Sequence, residues 1–440
     1  MLDLIEENRK QKILYYLLTG QMIFLIILPP LDGQIDIIRA ILYAVFAIIS
    51  AIVVVMGIAN LIAMKKKERD ISFFVVLTFY LICGLSSCWA LKRGVLWTDV
   101  IRGIIPFAWY INIIIIEKNL TCKIVEKMNR ILSVMALVYA ARIFIYYFIY
   151  VWGKNGERVT FHLSKGTSIV PMIGTIIYLY LYIVNTNKTN ILRYIIGMTF
   201  CFISIILTQT KSMLLAVWFG IFILLVGVTL LKNSQIDKKE MLIKYSMAIA
   251  ILGGCTLFLL AGTNLGSRWS NMVTIQPQIE QQIEQQIEHG VENKIEFEKG
   301  SVSVRIIEIK TAVEHYKKSI FFGEGIGYRW TAEGLDYGGP VIYMHNIIAF
   351  LMMDFGSVGI VYLLIIMFMF VYMELKVIKA NAPIESKLKF QMSLSIIIMA
   401  FVYANFFAIF RNIEFTILCA FYIGKLLLEK KQLTNGGLVE

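Results

Sequence analysis

The residues best suited to chemistry lie within positions 301–359, where a long polar stretch interrupts an otherwise apolar sequence. Arg305 lies near the start of this stretch and His345 near its end, with the run Gly323-Glu324-Gly325-Ile326-Gly327 between them. An imidazole can accept a proton or donate a hydrogen bond to a phosphate near neutral pH, and a guanidinium stays charged throughout that range. This stretch is therefore where we expect a reaction site.

The spacing of apolar residues predicts an amphipathic helix over residues 301–320. Apolar side chains recur every three or four positions, at Val302, Ile306, Ile309, Val313, Tyr316 and Ile320. Ser301 is a favourable N-cap for such a helix. Arg305, Glu308 and His315 share a different face, so the helix can lie along the membrane surface with the Arg305 guanidinium turned away from lipid.

The glycine-rich run has the spacing of a dinucleotide-binding loop but not its context. Such a loop follows a strand and opens the helix of a βαβ unit, and no strand is predicted before Gly323. Two interpretations remain open. The glycines form a tight turn, or Gly323 and Gly325 let backbone N–H groups approach an anionic ligand.

Two further polar positions lie at the boundaries of apolar runs. His345-Asn346 precedes the run 347–353, so His345 is either a structural residue at a helix entrance or a catalytic one. Lys211 lies in the polar break 208–212 between two apolar runs. It either extends its ammonium group to the membrane surface or supplies a cation to a lipid-linked phosphate.

Arg142 and Arg102 are candidate auxiliary cations. Arg142 lies inside an apolar run, where a charged side chain is costly and commonly functional. Arg102 lies near Lys92, Arg93 and Asp99, in a segment that either extends a basic cavity or is simply solvated. The sequence contains no Asp-x-Asp, so we expect no metal site and no metal-dependent transfer.

The elements that must position these residues are membrane-spanning helices. The chain has 440 residues, of which 58% are hydrophobic and 16% charged, and its mean hydropathy is +0.72. That composition needs a bilayer as its solvent. About twelve apolar runs can cross roughly 30 Å of hydrocarbon, so we predict an all-α polytopic protein. The cores of these runs are residues 13–30, 41–64, 71–90, 103–117, 131–152, 168–185, 191–208, 213–231, 245–262, 357–375, 390–410 and 413–428.

The distribution of Lys and Arg predicts which ends of the helices face the cytoplasm. The net charge is +12, but the basic residues concentrate in alternate short loops, which argues against nucleic acid as a partner and fits the positive-inside rule. Both termini are then cytoplasmic. The long segment 263–340 lies outside, where cytoplasmic nucleotide sugars cannot reach. The predicted division is 1–262 with the first spans, 263–356 as the outer loop carrying the site, and 357–440 with the last spans and a cytoplasmic tail.

The outer segment also contains a four-residue repeat. Residues 276–289 read QPQIEQQIEQQIEH, which predicts a helix with a slowly drifting apolar stripe. The simpler interpretation is a helix lengthened by tandem duplication that caps the outer face, and the alternative is a specific binding role. None of the six cysteines falls in the segment, so no disulfide framework is expected.

The order and spacing of these motifs resemble the integral membrane O-antigen ligase and O-antigen polymerase superfamily. The similarity in motifs covers roughly residues 208–375. The family has a Ser/Thr-Arg turn between two spans, a loop arginine followed by a G-x-G turn, and a His-Asn followed by an acidic residue and glycine. These correspond here to Thr210-Lys211-Ser212, to Arg305 and Gly323, and to His345-Asn346 with Asp354-Phe355-Gly356.

Two positions depart from the family pattern. Lys211 stands where the family usually has arginine, and a lysine keeps the charge but not the planar pair of donors that suits a phosphate. The aromatic residue that follows the family's loop arginine is also absent, and Ile309 and Lys310 occupy that region. The need for a cation at position 211 is unchanged by these departures.

The resemblance implies metal-independent glycosyl transfer, without a cofactor, at the outer face of the bacterial cytoplasmic membrane. The implied donor is an oligosaccharide repeat unit on undecaprenyl diphosphate, and the acceptor is a sugar hydroxyl. His345 and Arg305 are the implied catalytic residues, with His345 either activating the acceptor or contacting the diphosphate. The residues expected to bind the diphosphate are Lys211, Arg305, Gly323, Gly325, Asn346, Arg142 and Arg102.

The expected product is a surface polysaccharide, namely a capsule, an exopolysaccharide or an O-antigen. We favour a polymerase that joins repeat units, and a ligase that transfers the glycan to another acceptor is the alternative. A flippase or transporter of lipid-linked sugars is the alternative from another class, although it would typically show internal repeats and a midplane site. Membrane lipid, a chain-length regulator and a flippase are the expected partners.

Overall fold

The computed structural model describes residues 2–28, 37–152, 168–185, 187–230, 238–262, 301–332 and 339–434. Of these described residues 86% are helical and none lies in a β-strand. The prediction of an all-α polytopic membrane protein is confirmed. Eight helical stretches within the described ranges are long and apolar enough to cross a membrane, and the count of about twelve stays a prediction.

The helices of the described ranges lie before and after the outer segment. Before the outer segment they are α1 (Leu2–Ile27), α2 (Ile37–Ala63), α3 (Ile71–Lys92), α4 (Trp97–Ile104), α5 (Asn112–Asn119), α6 (Cys122–Tyr146), α7 (Ile169–Val184), α8 (Lys188–Leu207), α9 (Lys211–Leu230) and α10 (Lys238–Gly262). After it they are α11 (Ser301–Lys318), α12 (Ile347–Lys379), α13 (Ile384–Ala404) and α14 (Ile413–Thr434). The repeat at 276–289 lies outside the described residues.

Each predicted apolar run overlaps a helical stretch, but three boundaries differ. The run 103–117 is divided by a 3₁₀ segment, Ile105–Ile111, near whose start Pro106 removes a backbone donor. The run 357–375 is only part of α12, which begins at Ile347, and the predicted loop boundary at 356 coincides with a kink at Gly356. The helix that contains most of the run 390–410 ends at Ala404, so residues 405–410 lie outside it. That early end matters, because the connection 405–412 carries contacts to the site.

Helix α13 lies at the centre of the bundle. In its most apolar window 78% of residues are buried, against 11% for α12, which presents most of its surface to lipid. It packs against α7, α9 and α14. Small residues allow the close approach to α9, since a Cβ atom at Gly220 would lie 3.0 Å from Cβ of Met399. The most buried of the eight long apolar stretches therefore carries the connection 405–412 at its C-terminal end.

The glycine-rich run is a buried turn that fastens α11 to α12. Gly323, Gly325 and Gly327 have positive φ angles of 62°, 95° and 83°, a conformation that favours glycine. Opposite this turn α12 is broken at Gly356, where φ is 59° and ψ is −148°. A Cβ atom at Gly356 would lie 2.5 Å from the Gly323 nitrogen. The two backbones are thus in contact, and a side chain at either position would separate them.

The end of the bundle away from this turn carries partly buried ion pairs. Asp70 caps α3 by accepting from the Ser72 amide at 3.2 Å, and its other carboxylate oxygen pairs with Lys118. Burial alone would raise the pKa of Asp70, but the hydrogen bonds and charge of Lys118, with the Ser72 hydroxyl, hold it below its ordinary value. These pairs fix the connections between helices at that end.

Candidate functional site

His345 is held by a buried carboxylate from a different helix. Glu308, on α11, has 0% of its surface exposed. One of its oxygens lies 2.7 Å from the ring Nδ1 of His345, and the other accepts from the His345 backbone N–H at 2.9 Å. The His345 side chain keeps 24% of its surface exposed. The imidazole is thus anchored through Nδ1 and remains accessible elsewhere.

Aromatic rings restrict the imidazole on two further sides. The Tyr343 and Phe407 rings lie 5.7 Å and 6.1 Å from the His345 ring, with interplanar angles of 83° and 70°. Such edge-to-face contacts favour one ring orientation. Burial raises the pKa of Tyr343 and the nearby Glu308 adds to the increase, so this phenol stays neutral near pH 7. Within this cluster the imidazole is accordingly the group suited to proton transfer near neutral pH.

Arg305 reaches the same place from α11. It precedes Glu308 by three residues and therefore lies on the same face of that helix. Its Nε donates to the backbone carbonyl of Phe406 at 2.9 Å, just beyond the end of α13. Arg305 also interacts electrostatically with Tyr403, whose hydroxyl lies 3.0 Å from the Ser168 hydroxyl. Arg305 and His345 thus contact consecutive residues of one connection.

The Asn346 side chain makes two sets of structural hydrogen bonds next to His345. Its side-chain oxygen accepts from the backbone amides of Ile348 and Ala349, both at 2.9 Å, which caps the start of α12. Its amide nitrogen donates to the carbonyl of Asn405 at 3.2 Å. The structure therefore brings Arg305, His345 and Asn346 together on residues 405–407, which we call the 405–407 segment.

Lys211 lies at the same level of the bundle, at the start of α9. Helix α9 runs antiparallel to α13, since Gly227 packs against Gln391 and Gly220 against Met399. Counting back from Gly220 to Lys211 moves roughly 14 Å along α9, and counting forward from Met399 to the end of α13 at Ala404 moves roughly 8 Å in the same direction. The half-buried Lys211 side chain is thus level with the 405–407 segment.

The structure gives the glycine-rich run a packing role. Residues 323–327 are all buried. The amide of Gly323 donates to the carbonyl of Ser319 at 2.9 Å, and a Cβ atom at Gly325 would lie 2.7 Å from Cβ of Ala90. Of the two sequence-based interpretations, the tight turn fits these contacts. We therefore leave Gly323 and Gly325 out of the proposed ligand-binding set.

Arg142 borders the cluster without contacting the 405–407 segment in the described residues. Its guanidinium is half-buried, donates to the carbonyl of Ile26 at 3.4 Å and lies 5.2 Å from the centre of the Tyr146 ring. One turn earlier on α6, Tyr139 lies near Tyr403. Arg142 is therefore close enough to remain an auxiliary candidate.

Arg102 belongs to a separate charged group. Its side chain is 67% exposed and lies 3.8 Å from Asp99, a buried residue of α4. The Asp99 carboxylate also accepts two hydrogen bonds from Arg329, at 2.7 Å and 2.9 Å. Among the described residues Asp99 is the partner of Arg102 that the contacts identify, and none of these contacts involves Arg305 or His345.

Arg411 is a cation that the sequence analysis did not select. It donates to the carbonyl of Ile342 and lies 6.0 Å from the centre of the Phe350 ring. It also interacts electrostatically with Asp354, of which only 3% is exposed. Arg411 thus ties the residues just before His345 to the connection after α13. Its position between two apolar runs was the available signal in the sequence.

Four other residues of the cluster gave little or no signal. Glu308 was placed on the Arg305 face without a role, because its partner lies 37 positions away. Tyr403 and Phe407 lay inside a predicted span, where aromatic residues are ordinary. Phe406 contributes a backbone carbonyl, which every residue possesses.

Comparison with known families adds an independent observation. A family model described as O-antigen ligase matches residues 196–364. This segment is similar to the O-antigen ligase family. The resemblance predicted from the motifs is thereby confirmed. No curated protein matches the chain.

The matched segment includes four of the proposed site residues, Lys211, Arg305, His345 and Asn346, and ends before α13. Together with the apolar helices, the match indicates a membrane protein with activity of the O-antigen ligase or polymerase type. This is a membrane glycosyltransferase-like class whose substrates are lipid-linked glycans.

Proposed function

We propose that the protein polymerises undecaprenyl-diphosphate-linked oligosaccharide repeat units into a surface polysaccharide, by glycosyl transfer at the outer face of the bacterial cytoplasmic membrane. The observation that carries the proposal is the convergence of Arg305 and His345 on the 405–407 segment, level with Lys211. Two cations beside an anchored imidazole suit a donor whose leaving group is a diphosphate.

Arg305 and Lys211 stabilise the leaving group in this proposal. Negative charge collects on the lipid diphosphate as the glycosidic bond breaks, and preorganised cations lower the barrier most where that charge develops. The bond from Arg305 Nε to the Phe406 carbonyl fixes the plane of the guanidinium. Arg142 and Arg102 act at most as auxiliaries that attract the anionic donor, because their contacts lie outside the 405–407 segment.

His345 receives the proton of the acceptor. The acceptor hydroxyl oxygen forms a bond to the anomeric carbon while the bond from that carbon to the diphosphate oxygen breaks. The electron pair of the broken bond leaves with the lipid diphosphate, and the hydroxyl proton passes to the imidazole. Asn346 contributes by capping α12 beside His345 rather than by touching phosphate, since both ends of its amide are engaged.

The charge distribution supports an outer position for this site. The opposite end of the bundle carries the basic connections after α2 and α12, with Lys65, Lys66, Lys67, Lys376 and Lys379. Basic loops of this kind face the cytoplasm. The site end then faces outward, where a lipid-linked repeat unit is available and cytoplasmic sugar nucleotides are not.

Ligation is the second candidate, because the matched family model carries that description. A ligase would use the same cations and the same imidazole, and would differ only in its acceptor. A transporter is less well supported, because transporters bind their substrates near the membrane midplane and this cluster lies where α11, α12 and α13 meet at one end of the bundle.

The test uses purified full-length protein in lipid vesicles with lipid-diphosphate-linked repeat units from the same cell. Products are separated on a gel for wild type, His345→Ala and His315→Ala. His315 is the matched control, because it lies on the same loop helix but pairs with Glu324 at 3.0 Å in a different cluster. We expect a ladder of added repeats for wild type and His315→Ala, and none for His345→Ala.

Other outcomes distinguish the alternatives. Transfer of a single unit to a second lipid or wall acceptor, without a ladder, identifies a ligase. Absence of all transfer from intact wild-type protein contradicts the glycosyl-transfer proposal and favours a transporter. A His345→Ala protein as active as wild type would show that transfer occurs elsewhere in the molecule.

A further inference from the structure

We propose that Glu308 is a positioning residue that holds His345 as the Nδ1–H tautomer, so that Nε2 is the atom that takes the acceptor proton. The inference rests on the proposed function and deepens it, because it assigns the proton transfer to one nitrogen of His345 and names the residue that fixes the tautomer. It assigns acceptor activation to the imidazole and leaves the diphosphate to the cations.

The first argument is the match between donors and acceptors. His345 turns two nitrogen atoms toward Glu308, the ring Nδ1 at 2.7 Å and the backbone N at 2.9 Å, and each meets a different carboxylate oxygen. The backbone N–H can only donate. A carboxylate can accept both bonds at once, and it is acceptor-only when ionised. Nδ1 then carries the ring proton, and Nε2 carries the lone pair.

The second argument is the environment of the pair. Glu308 is fully buried, and a buried carboxylate is costly unless its oxygens accept hydrogen bonds. Each Glu308 oxygen lies within hydrogen-bond distance of a His345 nitrogen. Among the described residues none forms a hydrogen bond with Nε2, while a quarter of the side chain is exposed. The lone pair of Nε2 is thus left to meet a substrate hydroxyl.

The third argument concerns charge during the reaction. A neutral imidazole whose Nε2 has no proton cannot donate a hydrogen bond to a phosphate oxygen, but it can accept a proton from a hydroxyl. When it does so, the ring becomes an imidazolium cation next to the Glu308 carboxylate. A fixed carboxylate on the opposite ring nitrogen stabilises that cation and keeps the ring in place. The proton is later released from Nε2 to water.

The proposal is tested with Glu308→Gln, which has one acceptor oxygen for two donors. The matched control is Glu314→Gln, an exposed position two turns further along α11. Rates and donor KM are measured in the vesicle assay, for these variants and for His345→Ala with and without Glu308→Gln. We expect Glu308→Gln to lower kcat about 100-fold, as is typical when the partner of an essential histidine is lost, with KM within about twofold of wild type.

The double variant separates positioning from a purely structural role. If Glu308 acts only through His345, adding Glu308→Gln to His345→Ala has no further effect, because residues that act as a unit are not additive. A further loss of tenfold or more in the double variant overturns the proposal, and so does a wild-type rate for Glu308→Gln. If wild type transfers no glycan, the proposed function fails instead.

A second measurement uses the wild-type protein, so it does not depend on whether a Glu308 variant folds. The wild-type protein is labelled with ¹⁵N-histidine and studied by solid-state NMR at a pH where the imidazole is neutral, and the His345 signals are assigned by their loss in His345→Ala. We expect the proton on Nδ1 and an unprotonated Nε2. The reverse tautomer overturns the proposal, whatever the kinetics show.

Discussion

Arg305 and Phe406 are 101 positions apart in the chain, and a hydrogen bond of 2.9 Å joins the guanidinium of one to the carbonyl of the other. Phe407, the next residue, packs edge-on against His345. The proposed cation and the proposed base are therefore positioned by adjacent residues of a connection that the family match does not include. Their separation depends on the end of α13 as much as on the outer helix α11.

The first prediction concerns Arg305. Arg305→Ala should lower the rate of glycan transfer about 100- to 1000-fold, because it removes a preorganised charge from the leaving group. Arg305→Lys should recover part of that rate, since the charge returns without the planar donors. Initial rates in the vesicle assay measure both. Lys310→Ala, which removes an exposed cation from the same helix, is the control, and an equal loss in that variant would remove Arg305 from the site.

The second prediction concerns Lys211. Lys211→Ala should lower transfer about 100-fold if it is a second cation for the diphosphate. Lys211→Arg should keep at least the wild-type rate, because a guanidinium offers two parallel bonds to phosphate. Transfer is compared with Lys92→Ala, an exposed cation at the end of α3. Full activity in Lys211→Ala would show that Lys211 only extends its ammonium group to the membrane surface.

The third prediction concerns the contact between Gly356 and the glycine-rich turn. Gly356→Ala should destabilise the fold by about 3 kcal/mol or more, because it combines an unfavourable backbone conformation with overpacking. Thermal unfolding in detergent, followed by loss of the monodisperse elution peak, measures the effect. Gly84→Ala is the control, since no atom lies within 4 Å of its added Cβ. Similar unfolding temperatures for both variants would show that the turn and the kink separate easily.

The fourth prediction concerns the pH dependence contributed by Asp70. Its pKa is lowered in the folded protein, so its pair with Lys118 stabilises the fold above the unfolded pKa and loses that contribution as pH falls through the folded value. Asp70→Asn keeps a favourable N-cap residue, and should therefore cost less than about 1 kcal/mol at pH 7, given the partial exposure.

The measurement for Asp70 is the difference in unfolding temperature between wild type and Asp70→Asn from pH 7 down to pH 3. We expect the difference to shrink on acidification. Glu385→Gln, which breaks a 2.9 Å surface pair with Lys389, should show almost no difference at any pH. A difference for Asp70→Asn that grows toward low pH would contradict the assigned direction.

Much of the architecture could be predicted from the sequence, because apolar runs in a bilayer have few alternatives to the helix. Each predicted run overlaps a helical stretch, and Asn346 and the glycines of the turn 323–327 lie at a helix start and in a turn, as their chemistry suggests. The boundaries that were wrong involve Pro106 and the early end of α13 at Ala404. Both depend on local backbone contacts, which hydropathy does not register.

The candidate site was predictable only in part. Arg305, Lys211 and His345 stand out as charged or titratable residues beside apolar runs. Their relative positions could not be predicted, because these depend on contacts that join residues far apart in the chain. Glu308 gives no sign in the sequence that it is buried, and Phe406 acts through a carbonyl that any side chain would leave in place. Packing among α11, α12 and α13 decides both the burial of Glu308 and the position of the Phe406 carbonyl.

The contacts on the 405–407 segment also limit how such chains can vary in length. Helices α11 and α12 meet the bundle there through Arg305, Asn346 and His345. An inserted or deleted residue in the connection between α13 and α14 would shift the partners of the cation and of the imidazole together. We therefore expect length variation among related sequences to be tolerated in the outer segment before α11 and to be rare between Ala404 and Ile413.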